Sequence, residues 1–314
     1  RGRLVALYQF NIVFGILVAF ISNYLLRDFG SEPWRWMVGI EAVPAFVYFI
    51  LAFFIPESPR WLITVKNKPD LADETLMVMD PSTPVADQIT RILSDHSNTD
   101  TSETIWDRKY RFPVILAFFI SFFNQFSGIN AFLYYAPRIF EIAGLEKSSA
   151  LLSSIGIGIT NLVFTYAGLM LIDRLGRRQL MYIGSVGYIV SLAMVSLAFF
   201  AGIKGMMVPI FLFMFIASHA IGQGTIIWVF ISEIFPNHLR GKGAAFGTSI
   251  HWIFAALIPA MVPWLFNIIG PGTVFATFSI MMVGQLLFTW KMMPETKGAS
   301  LEELEHILTK GFRS

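Results

Sequence analysis

An all-α bundle lying in a membrane is the fold class this sequence predicts, and three observations predict it. Of 314 residues, 55% are hydrophobic and only 14% charged, with a mean hydropathy of +0.63; a soluble domain carries about a quarter charged residues. The apolar residues come in blocks of about 20, the helix length that spans a bilayer's hydrocarbon core. The 23 Lys and Arg gather in alternate loops, as they do in multi-pass proteins whose cytoplasmic loops collect cations. These cations sit in short loops between spans and not on one soluble face, which disfavours a nucleic-acid partner. The chain has no cysteine, so disulfides, thiol catalysis and cysteine-ligated metals are excluded.

The spans read, in order, as about eight: 4–26, 34–55, 112–133 (continuing brokenly to 143), 149–172, 179–201, 207–232, 244–268 and 273–293. The first follows Arg1-Gly2-Arg3 so abruptly that the chain reads as a piece lacking upstream helices. With this count, Arg1, Arg3, Arg60, Lys66, Lys68, Arg108, Lys109, Arg111, Arg174, Arg177, Arg178, Arg240, Lys242, Lys291 and Lys297 all fall on one side. The other side holds Arg27, Arg35, Arg138, Lys147 and Lys204. The richer side is cytoplasmic, so both ends of the chain are expected there. The long hydrophilic stretch 57–111, cut by Pro59, Pro69, Pro81 and Pro84, predicts two or three short amphipathic helices at the cytoplasmic surface, a linker between residues 1–56 and the spans of 112–293. After the last span, the tail 294–314 contains SLEELEHILT at 300–309, where Ser300 and Glu303 form a capping box for one more short helix.

The chain is organised around Phe122–Phe140, FFNQFSGINAFLYYAPRIF. It is apolar enough to span, yet carries Asn124, Gln125, Ser127, Asn130, Tyr134 and Tyr135 and is interrupted by Gly128 and Pro137. Amides in hydrocarbon are costly unless partnered, and each presents a donor and an acceptor. A span that keeps several of them and no formal charge suits a neutral, polar ligand such as a sugar. Gln9 and Asn161 are further intramembrane amides; for any one of them a helix–helix hydrogen bond is as good an account. The neighbours Asn124 and Gln125 diverge by about 100°, so one of them can face another helix. Trp228 and Trp252 offer flat faces to sugar C–H groups, or simply pack. His251 can bond a ligand or titrate, whereas His219 reads as a packed or helix-bridging residue. The spans 112–201 and 207–293 form two groups, each opening on a broken helix, at Ser127-Gly128 and at Gly222-Gln223-Gly224. Paired breaks of this kind point to a transporter's central site, although glycines also let helices pack closely.

Glu41, followed by Pro44, is the one mid-span carboxylate. It pairs elsewhere, is protonated part of the time, or lies near the outer water interface. At the cytoplasmic ends, Glu57 and Arg60, Asp173 with Arg177 and Arg178, and Glu233 and Arg240 form acid–base sets able to hold one side of a transporter shut. The five histidines are isolated and no hydrolase or phosphate-loop motif occurs, so neither a metal, a cofactor nor an enzymatic activity is expected.

PESPRWL at 56–62, NQFSGINAFLYYAPRIF at 124–140, DRLGRR at 173–178, SEIFPNHLRGK at 232–242 and PETKG at 294–298 resemble, in order, the signatures of the sugar porter family of the major facilitator superfamily. The resemblance implies twelve helices in two six-helix halves, of which about eight are present here. Residues 1–56 would be the last two helices of the N-terminal half and 112–293 the C-terminal half. It implies sugar contacts at Gln9, Asn124, Gln125, Asn130, Asn161 and Trp228, an outer gate at Tyr134 and Tyr135, and an inner gate at the acid–base sets, joined by Arg1. The departures concern the sugar: His251 stands where the family has Asn or Gln, Ile16 replaces a glutamine, and GTIIW lacks the proline of GPxxW. Glu41-Ala42-Val43-Pro44-Ala45 is similar to the bacterial proton symporters. The expectation is a multi-pass inner-membrane carrier of a neutral hexose or pentose, working by alternating access with protons, as a monomer in the lipid bilayer when complete. A facilitative uniporter and a transporter-like sugar sensor are the alternatives.

Overall fold

A computed structural model describes residues 2–97, 103–236, 238–298, 304 and 308. Arg1 and the helix expected at 300–309 with its Ser300–Glu303 box therefore lie outside the described residues, apart from positions 304 and 308. Every regular element among the described residues is helical. Helix α1 (Gly2–Leu26) is followed by α2 (Pro33–Gly39), α3 (Ala42–Ala52), α4 (Pro59–Thr64), α5 (Asp73–Met79) and α6 (Val85–Ser97). Next come α7 (Arg111–Phe126), α8 (Ile129–Ile142), α9 (Lys147–Leu175), α10 (Arg177–Phe200), α11 (Met207–His219), α12 (Thr225–Glu233) and α13 (Arg240–Lys291). The chain divides into two compact units, residues 29–103 on one hand and 1–28 with 104–314 on the other.

Among the described residues, seven helical stretches are long and apolar enough to cross a membrane: Tyr8–Leu26, Pro33–Ala52, Arg108–Ile142, Lys147–Leu175, Arg177–Phe200, Met207–Glu233 and Arg240–Lys291. The last contains two crossings. At 1.5 Å per residue its length would be about 78 Å, over twice the roughly 30 Å core of a bilayer. It is broken at Gly270 (φ 78°, ψ 155°), where Pro271 has no amide hydrogen to continue the helical ladder. The two arms correspond to the expected spans 244–268 and 273–293.

The two expected breaks are present. Between α7 and α8, Gly128 adopts φ 82°, ψ 11°, a left-handed conformation that costs a residue with a Cβ. A Cβ there would also lie 2.5 Å from the ring of Phe278. Between α11 and α12 the chain makes a π-turn, Ala220–Gly224, with Gly222 at φ −87°, ψ −107°. Here both readings of a glycine hold, because a Cβ on Gly222 would stand 2.9 Å from Cα of Gly184 in α10.

In the unit 29–103, the amphipathic pieces cover one another. Leu62, Ile63, Ala72 and Leu76 form a small core closed by Val85, Ile89 and Ile92. Between α5 and α6, Asp80 accepts hydrogen bonds from Ser82 N (3.2 Å) and Oγ (2.5 Å); the Ser82 and Thr83 side chains that bond its ionised form hold its carboxyl below the usual carboxylate range. In the larger unit the packing is aromatic. Phe122 stacks on Phe126 at 4.1 Å and meets Phe254 of α13 edge-on at 5.3 Å, offset and edge arrangements that ring quadrupoles favour. In hydrocarbon, where lipid is as apolar as leucine, such close fit and hydrogen bonds are what hold helices together.

Candidate functional site

The broken helices α7–α8 and α11–α12 both contribute side chains to one cavity of about 100 Å³. All eight residues singled out from the sequence as ligand contacts line it. Gln9 comes from α1, Asn124 and Gln125 from the last turn of α7, Asn130 from the first turn of α8, Asn161 from α9, Trp228 from α12, and His251 and Trp252 from α13. Six helices separated widely in sequence thus converge on one volume. Its remaining walls are mostly aliphatic, among them Ile12, Val13, Ile16, Ile129, Leu133 and Ile227.

The amides are interlocked. Asn130 Nδ2 donates to Gln125 Oε1 at 3.0 Å, and Gln125 Nε2 donates to Asn124 Oδ1 at 2.9 Å while lying 3.2 Å from the His251 ring nitrogens. Asn124 and Gln125 are 2% and 1% exposed, so these bonds replace water that neither can reach. The divergence expected of the two neighbours is real: Asn124 also turns to the π-turn, donating to Gln223 Oε1 at 3.3 Å. Gln9 Oε1 is buried with no hydrogen-bond partner, an uncompensated acceptor beside the cavity. Trp228 lies 4.9 Å from the His251 ring at 57°, and His251 lies 5.2 Å from Trp252 at 80°. The imidazole is therefore held between two indoles, of which Trp252 remains 55% exposed.

His219 was read as a packed or bridging residue. It does bridge, since its Nδ1 pairs with the Tyr188 hydroxyl of α10, but it also lines the cavity. Tyr134 is exposed and Tyr135 packs against the core; neither lines the cavity. They follow Asn130 on α8, Tyr134 one helical turn beyond it.

At the other set of predicted residues, Arg177 is the centre. It is 8% exposed, and its Nη2 and Nε donate to the two oxygens of Glu233 at 2.8 and 3.2 Å, the two-pronged geometry that planar guanidinium allows. Its Nη1 reaches Asp173 at 3.5 Å and the Ile172 carbonyl at 3.3 Å. The Arg178 guanidinium bonds backbone carbonyls, Thr289 at 3.3 Å and Trp290 at 2.6 Å. Glu57 and Arg60 are exposed and belong to the unit 29–103, as does Glu41, which is exposed at the start of α3 and makes no side-chain cap there.

Two residues here escaped the sequence reading. Glu295 accepts from the backbone N–H of Arg177 (2.9 Å) and Arg178 (3.0 Å), capping the exposed amides at the start of α10 from 118 residues away. Thr296 donates to Glu233 Oε2 at 2.6 Å. Both stand in PETKG; the signal available was a carboxylate directly after the final span, where free helix ends and arginines gather.

The fold and the cavity define a multi-pass helical membrane protein with an amide-bearing chamber that has no carboxylate in its wall. The chain belongs to the sugar transporter family: the sequence model described as "Sugar (and other) transporter" matches residues 1–308. It is 34% identical over 320 residues to the D-xylose-proton symporter of Escherichia coli (strain K12), covering 97% of this chain and 64% of that protein. It is 36% identical over 319 residues to the probable metabolite transport protein CsbC of Bacillus subtilis (strain 168), covering 100% of this chain and 68% of the relative. Among solved structures, the proton:xylose symporter XylE bound to 6-bromo-6-deoxy-D-glucose superposes with a TM-score of 0.80 at 32% identity, over 98% of this chain and 67% of that one. A partially occluded inward-open form of XylE from E. coli gives 0.83 at 30% identity, over 96% and 65%. The chain thus spans about two thirds of the length of these relatives, and its fold is that of the major facilitator superfamily.

Proposed function

We propose that the protein carries a neutral monosaccharide across a membrane by alternating access, with proton symport, and that the cavity is where the sugar sits. The observation that carries this reading is the convergence of Gln9, Asn124, Gln125, Asn130, Asn161, Trp228, His251 and Trp252 on one chamber without a carboxylate, lysine or arginine. Such a lining offers hydroxyl-sized donors and acceptors and apolar faces, which suits a pyranose and offers nothing to a phosphate or an ammonium group. The lone Gln9 carbonyl supplies an acceptor that a sugar hydroxyl would satisfy. Support for the substrate class comes from relatives described as xylose-, arabinose- and galactose-proton symporters.

In this reading Tyr134 and Tyr135 close the outer side. The Asp173–Arg177–Glu233 cluster, with Arg178 and Arg240, closes the cytoplasmic side, and opening it means breaking the two-pronged Arg177–Glu233 pair. Both ends of the chain face the cytoplasm of an inner membrane, residues 57–111 link two halves, and the complete carrier works as a monomer. No covalent step is involved and no metal or cofactor is required. Glu41 is the proton-coupling candidate on this chain.

The test is uptake of radiolabelled xylose, glucose, galactose and arabinose by the intact protein in sealed vesicles, with and without an inward proton gradient. Gradient-driven accumulation of one sugar is expected. Equilibration without accumulation would make it a facilitative uniporter, and binding without flux would make it a sensor.

A further inference from the structure

The cavity amides do not end at the cavity. Beyond Asn124, Gln223 Nε2 donates to Gln285 Oε1 at 3.1 Å, Gln285 Nε2 donates to Ser185 Oγ at 2.8 Å, and Ser185 Oγ donates to the Met181 carbonyl at 2.7 Å. Gln223, Gln285 and Ser185 are fully buried, each 0% exposed. With Asn130, Gln125 and Asn124 they form one continuous file in which every group donates to the next, running from the chamber through the π-turn and α13 into α10.

An amide can be turned end for end, exchanging donor and acceptor, and its orientation follows from its partners. Here the partners decide it at the far end. Gln223 Nε2 also points at the backbone carbonyl of Ile120, 3.4 Å away, and a carbonyl can only accept. Turning Gln223 over would set two oxygens against each other in a buried site, as well as against the oxygen of Gln285. The Met181 carbonyl likewise holds the Ser185 proton, leaving a lone pair for Gln285. With Gln223 fixed, Asn124 has to present its nitrogen to it and its oxygen to Gln125. Gln125 then presents its oxygen to Asn130, and Asn130 donates one of its two Nδ2 hydrogens inward, leaving Oδ1 as its acceptor beside the second hydrogen.

We infer that Gln223, Gln285 and Ser185 are positioning residues that set the polarity of the ligand-binding amides, so that Asn130 meets the ligand as an acceptor and selects a hydroxyl able to donate. This rests on the reading of the cavity as a sugar site. It assigns roles to residues outside the cavity wall, one each in α10 and α13 and one, a glutamine flanked by glycines, in the π-turn.

A hydroxyl donates or accepts equally well, but fluorine on carbon cannot donate. Binding of the transported sugar and of its monofluoro analogues, each with one hydroxyl replaced, is measured on the intact protein. Asn130→Ala identifies the analogue whose weakness reports on Asn130. In the native protein that analogue binds roughly tenfold or more weakly than the parent sugar, because its fluorine faces an unpaired acceptor. Gln223→Met keeps the volume and cuts the file, freeing Asn124, Gln125 and Asn130 to turn over together. The parent sugar is then bound within about twofold of native, while discrimination against the analogue falls at least fivefold. Ser185→Ala, a smaller change, moves it in the same direction and is the variant to read if Gln223→Met does not accumulate. A role in folding alone would weaken parent and analogues together. Unchanged discrimination in a variant that still binds the parent overturns the inference, as does a native protein that tolerates fluorine at every position. Failure of the native protein to bind any sugar overturns the sugar reading itself, and this inference with it.

Discussion

At the scale of single residues, the cavity rests on a simple rule about amides. A buried amide must be bonded, and a bonded amide left without its partner costs about 1–3 kcal/mol. Asn130→Ala removes a side chain that touches Gln125 at 3.0 Å and leaves that glutamine's oxygen and the ligand both short of a partner. Sugar affinity is expected to drop roughly 5- to 150-fold with the protein still abundant in the membrane; an unchanged dissociation constant, read by isothermal titration, would take α8 out of the site. The sequence made this site legible because polar residues in a hydrocarbon-length span are conspicuous. It hid Gln285 and Ser185 because a lone polar residue in a span is equally well a helix-bridging one, and only the geometry shows that they continue the file from the cavity. His219 was legible as a bridge to another helix and not as a wall of the chamber, since one side chain does both.

At the scale of elements, the breaks and caps carry the argument. Gly128 and Gly222 were readable as breaks because glycine coincides there with polar neighbours in spans otherwise apolar. The turn at Gly270 appears in the sequence as a gap between two apolar blocks, and the structure breaks the helical run at that glycine, at φ 78° and ψ 155°. The start of α10 was less legible. A helix N-terminus carries about half a positive charge, and the partner that meets it, Glu295, is remote in sequence. Replacing Glu295 with Gln keeps one acceptor oxygen and removes the charge. The expected loss is about 1 kcal/mol, seen as a lower melting temperature in detergent with sugar affinity unchanged; a melting curve superimposable on the native one would mean that this cap does not stabilise α10.

At the scale of the whole molecule, alternating access asks for closures that open and for an ion that drives them. Arg177→Lys keeps the charge but loses the two-pronged contact with Glu233. Labelling of a cysteine introduced into the cavity wall, read from the cytoplasmic side, should speed up several-fold as the inward-open population grows; a rate equal to that of the same cysteine variant with Arg177 retained would show that the pair does not hold the closure. Glu41→Gln should lower proton-driven accumulation more than sugar exchange, and equal loss of both would reduce Glu41 to a packing role. The chamber's lack of carboxylates and of basic side chains other than its two imidazoles has an electrical consequence. Moving one elementary charge through 100 mV takes about 2.3 kcal/mol, and a neutral sugar entering this lining moves none. On the proposed reading, voltage acts on uptake through the coupled proton and not through the sugar, so any current that accompanies uptake counts ions and not sugar molecules.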